Sequence, residues 1–343
     1  MLTVEDPLAP FDDHVQRVRA IPFWAYPQLR MAAPSFRSAR SAIDRWRPTL
    51  VHAATPFGVG IGARAAARQL GVPLVTSYHT HFTAYLEHYG LSALNAISWP
   101  FLRWFHNGGL ATFAPSETVR RELALNGFRG TRVWSRGVDA WRFHPRHRSR
   151  AVRGSLGVRE DQIVVLYVGR LAPEKGIDVA LQGVALAMEA RPRDIALVLT
   201  GDGPAEARLR RTAPRGTIFT GPLTGERLSA MYASADVLVF PSLTETFGNV
   251  VLEGMASGLA IIAPDRGPTT EFAGEGIALT CDVTDPRAIA SALHQLVTDA
   301  EGRERFANAA LTAARSRTWD AVFDRLIEDY RACAPATIGA TTR

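Results

Sequence analysis

Short apolar runs alternate with amphipathic stretches through the second half of the chain. Runs of four to six residues rich in Val, Ile and Leu predict buried strands at 163–168, 195–200, 217–220, 237–240 and 259–263. The helical period predicts helices at 177–190, 205–212, 225–234, 249–257, 285–298, 301–315 and 318–331. Buried strands separated by helices indicate a parallel sheet covered on both faces, which is a doubly wound α/β domain.

The first half alternates in the same way, but less regularly. Its predicted strands are 18–23, 49–54, 73–77, 110–114 and 131–135, and its predicted helices are 35–46, 60–70, 91–106 and 116–126. The segment 144–161 is polar and has no apolar period, which predicts a linker. With 343 residues, and roughly 100–200 residues per domain, the chain is long enough for two domains. We expect an amino-terminal domain over 1–145, a second domain over 146–316 and a closing helix over 317–333.

The turn after strand 163–168 carries two cations. Doubly wound domains bind ligands at the carboxyl ends of their strands, and here Arg170 and Lys175 flank a turn that ends on Gly176 before a helix. Fixed positive charge and a helix N-terminus favour phosphate binding, although the order of a P-loop is absent. Two solvated surface charges are the alternative. Lys175 is the single lysine among 39 basic residues, which favours a specific role.

Two glutamates bracket the turn that follows strand 237–240. Glu245 lies in the loop, Glu253 lies in the next helix, and Gly248 precedes that helix. Carboxylates beside a bound diphosphate are reasonable if each accepts hydrogen bonds from hydroxyl groups, a sugar at one and a ribose at the other. The alternative is a surface acid and an unrelated glutamate on a helix face.

A histidine pair follows strand 73–77. His79 could donate to a substrate hydroxyl from the end of this strand. The alternatives are a structural histidine, or a metal site built from His79, His81 and His88, which lacks a nearby cysteine or paired acid. Since the chain also has no D-x-D pair, no metal is expected.

Two glycine motifs have structural explanations. The run from Gly58 to Ala63 matches the form of a dinucleotide fingerprint, but no acidic residue follows about 20 positions later. It predicts the start of an alanine-rich buried helix instead. Gly201 and Asp202 predict a strand-to-helix turn that could also contact a ligand.

Positive charge is concentrated in the first half. Residues 1–145 hold 16 Arg and nine acidic residues, a net +7, and six of the seven Trp. Arginine mixed with tryptophan, as in the stretch 99–105, suits an anionic membrane surface or nucleic acid, whereas an Arg-rich surface over core aromatics is the plain alternative. The sequence has no RNA-binding aromatic motif or helix-turn-helix, so no nucleic acid partner is expected. Two cysteines favour a reducing cytosol.

Several strings together resemble the retaining GT-B glycosyltransferases of family 4. They are GRLAPEKGID, TGDGP, PSLTETFGNVVLEGMASGLAII and TWDAVFDRLIEDYR. Three others, SYHTHF, RWFHNGGLATFAPS and WSRGVDAWRFHP, resemble a branch with bacterial GDP-mannose-dependent alpha-mannosyltransferases and sulfoquinovosyl-diacylglycerol synthases. The resemblance covers about residue 15 to residue 332. It implies two Rossmann-like domains whose parallel sheets face each other across a cleft, with the closing helix crossing back to the first domain.

The resemblance also implies a role for each matching residue. Arg170 and Lys175 would hold the donor diphosphate, Glu245 and His79 would contact the donor hexose, and Glu253 would hold the ribose. The remaining donor-binding residues would be Phe247, Gly248, Asn249, Val250, Leu223, Gly201 and Asp202, with Leu223 near the base. No cofactor is implied beyond the nucleotide-sugar co-substrate, GDP-mannose or a UDP-sugar.

The expected function is transfer of a hexose, mannose first, to a lipid-linked or membrane-surface glycan by a cytoplasmic enzyme at the inner face of the membrane. The alternatives are a UDP-sugar-dependent glycolipid synthase of the sulfoquinovosyl- or glucosyl-diacylglycerol type, a nucleotide-sugar epimerase, a phosphorylase, and an inactive fragment that retains only the donor site. Family members begin with a strand and a glycine-rich loop, and this sequence starts after that point. We therefore expect the amino-terminal domain to lack about one strand–helix unit, roughly 30 residues.

Overall fold

The computed structural model describes residues 1–5, 12–23, 26–33, 35–79, 95–191 and 193–334. These residues belong to two compact units. The first comprises Met1–Ser135 together with Asp324–Arg343, and the second comprises Arg136–Phe323. Each unit contains its own parallel sheet.

The first unit holds a four-stranded parallel sheet and two strand pairs. Its strands are β1 (Leu2–Val4), β2 (Gln16–Val18), β3 (Ile21–Phe23), β4 (Tyr26–Met31), β5 (Val51–Ala53), β6 (Leu74–Ser77), β7 (Ala111–Ala114) and β8 (Thr131–Val133). Its helices are α1 (Phe36–Trp46), α2 (Val59–Leu70), α3 (Asn95–His106) and α4 (Glu117–Leu125). Strands β5 to β8 lie side by side in chain order, while β1 pairs with β2 and β3 pairs with β4.

The glycines of α2 allow close packing of the helix. A Cβ on Gly60 would lie 1.7 Å from the Thr55 carbonyl oxygen, and one on Gly62 would lie within 3 Å of the Ser35 backbone. Ala66 and Ala67, about one turn beyond Gly62, are fully buried. The glycine run therefore opens a buried, alanine-rich helix, as the sequence predicted.

The strand predicted at 18–23 is not continuous. The chain forms two short strands there, and β3 pairs antiparallel with β4, which the sequence did not predict. Pro22 and Pro27 lie in this hairpin. Proline has no backbone N–H and suits an edge pair, so these positions favour a separate hairpin over a central strand of the parallel sheet.

The second unit has a six-stranded, all-parallel sheet. Its strands are β9 (Ile163–Val168), β10 (Ile195–Thr200), β11 (Ile218–Gly221), β12 (Val237–Val239), β13 (Ala260–Pro264) and β14 (Leu279–Cys281). The spatial order is β11-β10-β9-β12-β13-β14. Its helices are α5 (Arg150–Ser155), α6 (Ile177–Ala190), α7 (Glu206–Thr212), α8 (Gly225–Ser234), α9 (Asn249–Ala256), α10 (Pro286–Thr298) and α11 (Ala300–Arg315).

Both faces of this sheet are buried. Along β9, Val164 and Leu166 join one core cluster, while Val165 and Tyr167 join the cluster on the other face. Burying each such aliphatic side chain contributes about 1.5–3 kcal/mol to stability. The strand order reverses between β9 and β12, so their carboxyl-terminal loops lie at the topological switch point, where doubly wound sheets bind ligands.

The segment 144–161 is not an extended linker. Residues Arg150–Ser155 form α5, and the Arg153 guanidinium is buried. It donates to the Asp236 carboxylate at 2.9 Å and to the Gln162 carbonyl at 2.6 Å. A buried arginine anchors this six-residue helix, which is too short to show an apolar period in the sequence.

The last helix, α12 (Trp319–Cys333), begins in the second unit and ends in the first. Its later turns bury Leu326 in the first unit, beside Val75 and Phe113. None of the helices described has the length and hydropathy that crossing a membrane requires.

Candidate functional site

The loops after β9 and β12 carry an ion pair at the switch point. The Lys175 ammonium donates to Glu245 Oε1 at 2.5 Å, and the Lys175 side chain is only 11% exposed. Gly176 holds a left-handed conformation directly after Lys175, packed on the Pro241 carbonyl. The sequence predicted both charged residues as ligand-facing, and the structure brings them into contact with each other.

Arg170 is held by a buried acid. Its guanidinium donates to the carboxylate of Glu174, whose side chain is 1% exposed. The Thr244 hydroxyl donates to the Glu174 carbonyl at 3.2 Å and so ties the two loops together. The Tyr167 hydroxyl donates to the Arg170 carbonyl at 3.1 Å, and burial raises the pKa of Tyr167, helped by Glu245 and Glu174. The loop after β9 is therefore held by hydrogen bonds from Tyr167 and Thr244 and by the ion pair with Glu174.

Helix α9 starts without a side-chain cap. Gly248 precedes it at φ +101°, and a Cβ there would lie 2.8 Å from Thr269 Cγ2. Phe247 is buried and stacks on Phe272 with ring centroids 4.5 Å apart. Asn249 is exposed at the first position of the helix. Uncapped N–H groups at a helix start favour an anion, so this end suits a phosphate or a sugar oxygen.

Glu253 lies one turn into α9, beside a buried tyrosine. The Tyr232 hydroxyl donates to Glu253 Oε2 at 2.9 Å. Burial raises the pKa of Glu253, and the hydrogen bond from Tyr232 and the charge of Arg142 oppose that rise. The pKa of Tyr232 is raised by its own burial and by Glu253, so the phenol remains a neutral donor. Tyr232 contacts only one carboxylate oxygen of Glu253, Oε2, and the Glu253 residue is only partly buried.

The loops after β10 and β11 place the remaining predicted residues. Gly201 has φ +135°, and a Cβ there would lie 2.0 Å from the Gly169 carbonyl oxygen, so only glycine fits. The Asp202 carbonyl accepts from Leu171 N–H at 2.6 Å, while Asp202 as a whole is exposed. Leu223 is partly buried against the core of the second unit. Of these, the structure gives Gly201 and Leu223 packing roles.

His79 lies in the first unit, directly after β6. Its Nε2 is 2.7 Å from Ser77 Oγ, and its ring meets that of Trp134 at a centroid distance of 5.4 Å. His81 and His88, the other members of the alternative metal set, lie outside the described residues. Within the part of the chain that the structure describes, no group of three or more His, Cys, Asp or Glu is placed to hold a metal ion.

Sequence reasoning missed the residues that support these groups. Glu174 lies next to Lys175 in the turn that the sequence already indicated as a phosphate site. Its position beside Lys175 was the one sequence feature that could have pointed to it. Tyr232 is 21 residues from Glu253 on a different helix, and no spacing rule connects them. His52 reaches Ser77 from a neighbouring strand. Such partners become visible only when the sheet is assembled.

Two family descriptions match the chain. Residues 149–312 match "Glycosyl transferases group 1", and residues 1–142 match "Glycosyltransferase Family 4". The chain is similar to the GDP-mannose-dependent alpha-mannosyltransferase of Corynebacterium glutamicum, with 36% identity over 294 residues that cover 85% of this chain and 70% of that protein. It is also similar to the sulfoquinovosyl transferase SQD2 of Arabidopsis thaliana, with 34% identity over 306 residues, 86% of this chain and 58% of that protein.

Solved structures show the same fold. HepE of Anabaena, crystallised with UDP, superposes with a TM-score of 0.76 at 19% identity and covers 93% of this chain and 86% of its own. The resemblance in sequence and the expected GT-B fold are thereby confirmed. The chain belongs to glycosyltransferase family 4.

Proposed function

We propose that the protein transfers mannose from GDP-mannose to a lipid-linked or membrane-surface glycan, with retention of the anomeric configuration. The observation that carries the proposal is the meeting of Lys175 and Glu245 at the switch point of the second unit. Lys175 could bind a diphosphate and Glu245 could bind a sugar hydroxyl, and the two side chains are hydrogen-bonded to each other there. The likeness to the mannosyltransferase of Corynebacterium glutamicum favours mannose and GDP.

Binding of the donor would exchange ion-pair partners. In the structure Lys175 is paired with Glu245, and Arg170 with Glu174. A diphosphate would replace Glu245 as the partner of Lys175, since phosphate oxygens accept charge-assisted hydrogen bonds from both cations. The released Glu245 carboxylate would then be available to hexose hydroxyls. Glu174 would stay in place and hold Arg170 toward the phosphates.

The nucleoside would lie along α9. Glu253 would accept hydrogen bonds from the ribose hydroxyls, with Tyr232 holding the carboxylate from behind. The backbone of Phe247, Gly248 and Asn249 would approach the phosphate and sugar oxygens at the uncapped helix start. Val250 and Leu223 would border the nucleoside, and the base would lie near Leu223.

The chemistry would depend on position and charge. Arg170 and Lys175 would stabilise the negative charge that develops on the leaving diphosphate. The acceptor hydroxyl would attack from the face that the diphosphate leaves, with a phosphate oxygen taking its proton, so the product would keep the anomeric configuration of the donor. His79 would donate to the hexose. Correct placement of the two reactants supplies much of the rate enhancement.

A partly exposed apolar patch on α3 supports the membrane-surface acceptor. Ile97, Phe101 and Trp104 share one face of α3, and Ile97 and Trp104 are 70% and 48% exposed. Phe101 stacks on Phe57 and on Trp104 with centroid distances of 5.8 and 5.9 Å. The Arg64 guanidinium lies 4.0 Å from the centre of the Trp104 ring. Aromatic and aliphatic groups rimmed by arginine suit an anionic lipid interface.

The donor proposal is tested by calorimetry with GDP, UDP, GDP-mannose and UDP-glucose. We expect GDP and GDP-mannose to bind wild type, and Lys175→Ala to weaken both at least about tenfold, since each charge-assisted hydrogen bond contributes ~1.5–3 kcal/mol. Glu245→Gln frees Lys175 from its carboxylate, so GDP should bind this variant as well as wild type or better, while mannosyl transfer falls.

The same titration has two contrary outcomes. Binding of UDP and UDP-glucose alone would overturn GDP-mannose and support a glycolipid synthase, which the likeness to the sulfoquinovosyl transferase makes the second candidate. If none of the four nucleotides binds folded protein, the proposed donor site is wrong. An inverted product, read from the anomeric NMR signals, would contradict the retaining mechanism.

A further inference from the structure

An unbroken line of hydrogen bonds joins the last helix to His79. Tyr330 Oη on α12 lies 2.5 Å from His52 Nδ1. His52 Nε2 lies 2.9 Å from Ser77 Oγ, and the same Ser77 oxygen lies 2.7 Å from His79 Nε2. All four residues belong to the first unit. The neighbouring strands β5 and β6 and the distant helix α12 thus converge behind a single imidazole.

The line is enclosed by protein. Ser77 is 1% exposed, and the His52 ring packs against Phe113 at 5.7 Å and Trp134 at 5.5 Å. Burial lowers the pKa of His52 to about 4 and raises the pKa of Tyr330 to about 12. At neutral pH the imidazole of His52 therefore carries a single ring hydrogen and the phenol keeps its own. Each member of the line has a defined number of hydrogens to donate.

Counting those hydrogens favours one direction. If Tyr330 donates to His52 Nδ1, the His52 hydrogen is on Nε2 and goes to Ser77, and Ser77 donates to His79 Nε2. Every hydrogen in the line then has an acceptor. In the opposite direction the Tyr330 hydrogen would have no acceptor among the described residues.

We propose that Tyr330, His52 and Ser77 are positioning residues that hold His79 as the neutral tautomer with its hydrogen on Nδ1. Since the hydrogen bond at one ring nitrogen decides which nitrogen is protonated, an acceptor Nε2 makes Nδ1 the donor. This rests on the proposed function, in which His79 donates to the donor hexose. The line would fix both the tautomer and the angle of the ring that meets the sugar.

The direction is tested first in the wild-type protein. Nitrogen NMR of ¹⁵N-histidine-labelled protein at neutral pH distinguishes a protonated from an unprotonated ring nitrogen, and the loss of signals in His79→Asn assigns those of His79. We expect a protonated Nδ1 and an unprotonated Nε2. The reverse pattern, or a doubly protonated ring, would overturn the proposal without any need for a second variant.

The coupling is tested with Tyr330→Phe, which removes one hydroxyl and leaves the ring. We expect the His79 signals to move toward a mixture of tautomers, because His52 Nδ1 loses its donor. The matched control is Asp329→Asn on the same turn of α12. It breaks the 2.8 Å ion pair with Arg132 but leaves the line intact, so its His79 signals should match wild type. If Tyr330→Phe does not fold, His52→Gln is used in its place, because it removes the imidazole at the centre of the line.

Activity gives an independent readout. In Tyr330→Phe we expect kcat/KM for the nucleotide sugar to fall about tenfold, by analogy with the roughly 10- to 100-fold cost of removing hydrogen bonds that support metal-binding histidines. The Kd for the free nucleotide should not change, because the nucleotide lacks the hexose. An equal loss in Asp329→Asn would show a structural role only and overturn the proposal. If wild type shows the expected His79 tautomer but transfers no sugar, the proposed function is overturned while the proposed role of the hydrogen-bond line stands.

Discussion

At the scale of single residues, Glu253 combines a cost to the fold with a use in binding. Burial raises its pKa, so the ionised form is disfavoured in the folded chain relative to the unfolded chain. For a raised pKa the stabilising contribution is present below the unfolded value and is lost as pH rises through the folded value. At neutral pH the ionised Glu253 therefore lowers the free energy of unfolding, as expected of a group kept for a ligand.

Replacing Glu253 by Gln should separate these two effects. The amide keeps the hydrogen bond from Tyr232 but needs no ionisation, so Tm should rise by a few degrees, roughly the shift of a 1 kcal/mol change. Nucleotide affinity should fall about 10- to 100-fold, since charge-assisted hydrogen bonds contribute ~1.5–3 kcal/mol. Thermal melts and calorimetry measure the two quantities.

The pH profile gives a sharper form of this prediction. Wild-type affinity should decline as pH falls through the raised pKa of Glu253, above the ordinary glutamate value of 4.5, whereas the variant should lack this step. Glu189→Gln, an exposed change on α6, is the control and should alter neither quantity. A variant that binds the nucleotide as wild type does would remove Glu253 from the site.

At the scale of secondary-structure elements, α5 is held by a buried charge in addition to the apolar packing of Val152 against the core. The Asp236 carboxylate forms ion pairs with Arg153 at 2.9 Å and with Arg148 at 2.7 Å. It also accepts a hydrogen bond from the Val164 N–H at 2.8 Å. The Arg153 side chain is 8% exposed. One carboxylate thus joins α5, the start of β9 and the end of α8. Breaking a buried pair by removing one partner is costly, because the other charge loses its compensation.

Arg153→Ala should lower the free energy of unfolding by about 3 kcal/mol, at the lower end for a broken buried pair because Arg148 remains. Urea denaturation followed by circular dichroism measures the loss. Arg150→Ala is the control on the same helix, since its side chain is 91% exposed and its pair with Glu160 is in solvent. Equal midpoints for the two variants would show that α5 is not part of the folded unit.

These elements also show how far the sequence alone could lead. Five of the six strands of the second sheet were predicted, because apolar runs such as IVVLYV between helical stretches indicate strands buried on both faces, whereas the three-residue strand β14 was not predicted. Lys175 and Glu245 were predictable because they follow such strands. Helix α5 was not, since its six residues are too few to show an apolar period. The link from Tyr330 to His52 spans 278 residues, and only the assembled sheet could show it.

At the scale of the whole molecule, charge and exposed rings coincide in the first 145 residues. This part carries 16 Arg against nine acidic residues. The exposed face of α3 lies in it, Arg103 is exposed on the same helix, and Arg68 is exposed on α2. Positive charge brings a protein toward anionic lipid, and buried apolar area then retains it. The two contributions respond differently to salt, which makes them separable.

Trp104→Ser should weaken binding to vesicles of mixed phosphatidylglycerol and phosphatidylcholine roughly tenfold, because burying a large apolar side chain contributes about 1.5–3 kcal/mol. Sedimentation with the vesicles measures the bound fraction. Wild type should bind less at high salt, since screening weakens exposed charges beyond ~8 Å at physiological ionic strength, and should bind poorly to pure phosphatidylcholine.

Trp141→Ser is the control, because Trp141 is 77% exposed but lies in the second unit. If both tryptophan variants bind as wild type does, or if wild type ignores anionic vesicles at low salt, the α3 face is not a membrane surface, and a water-soluble glycan becomes the acceptor to test.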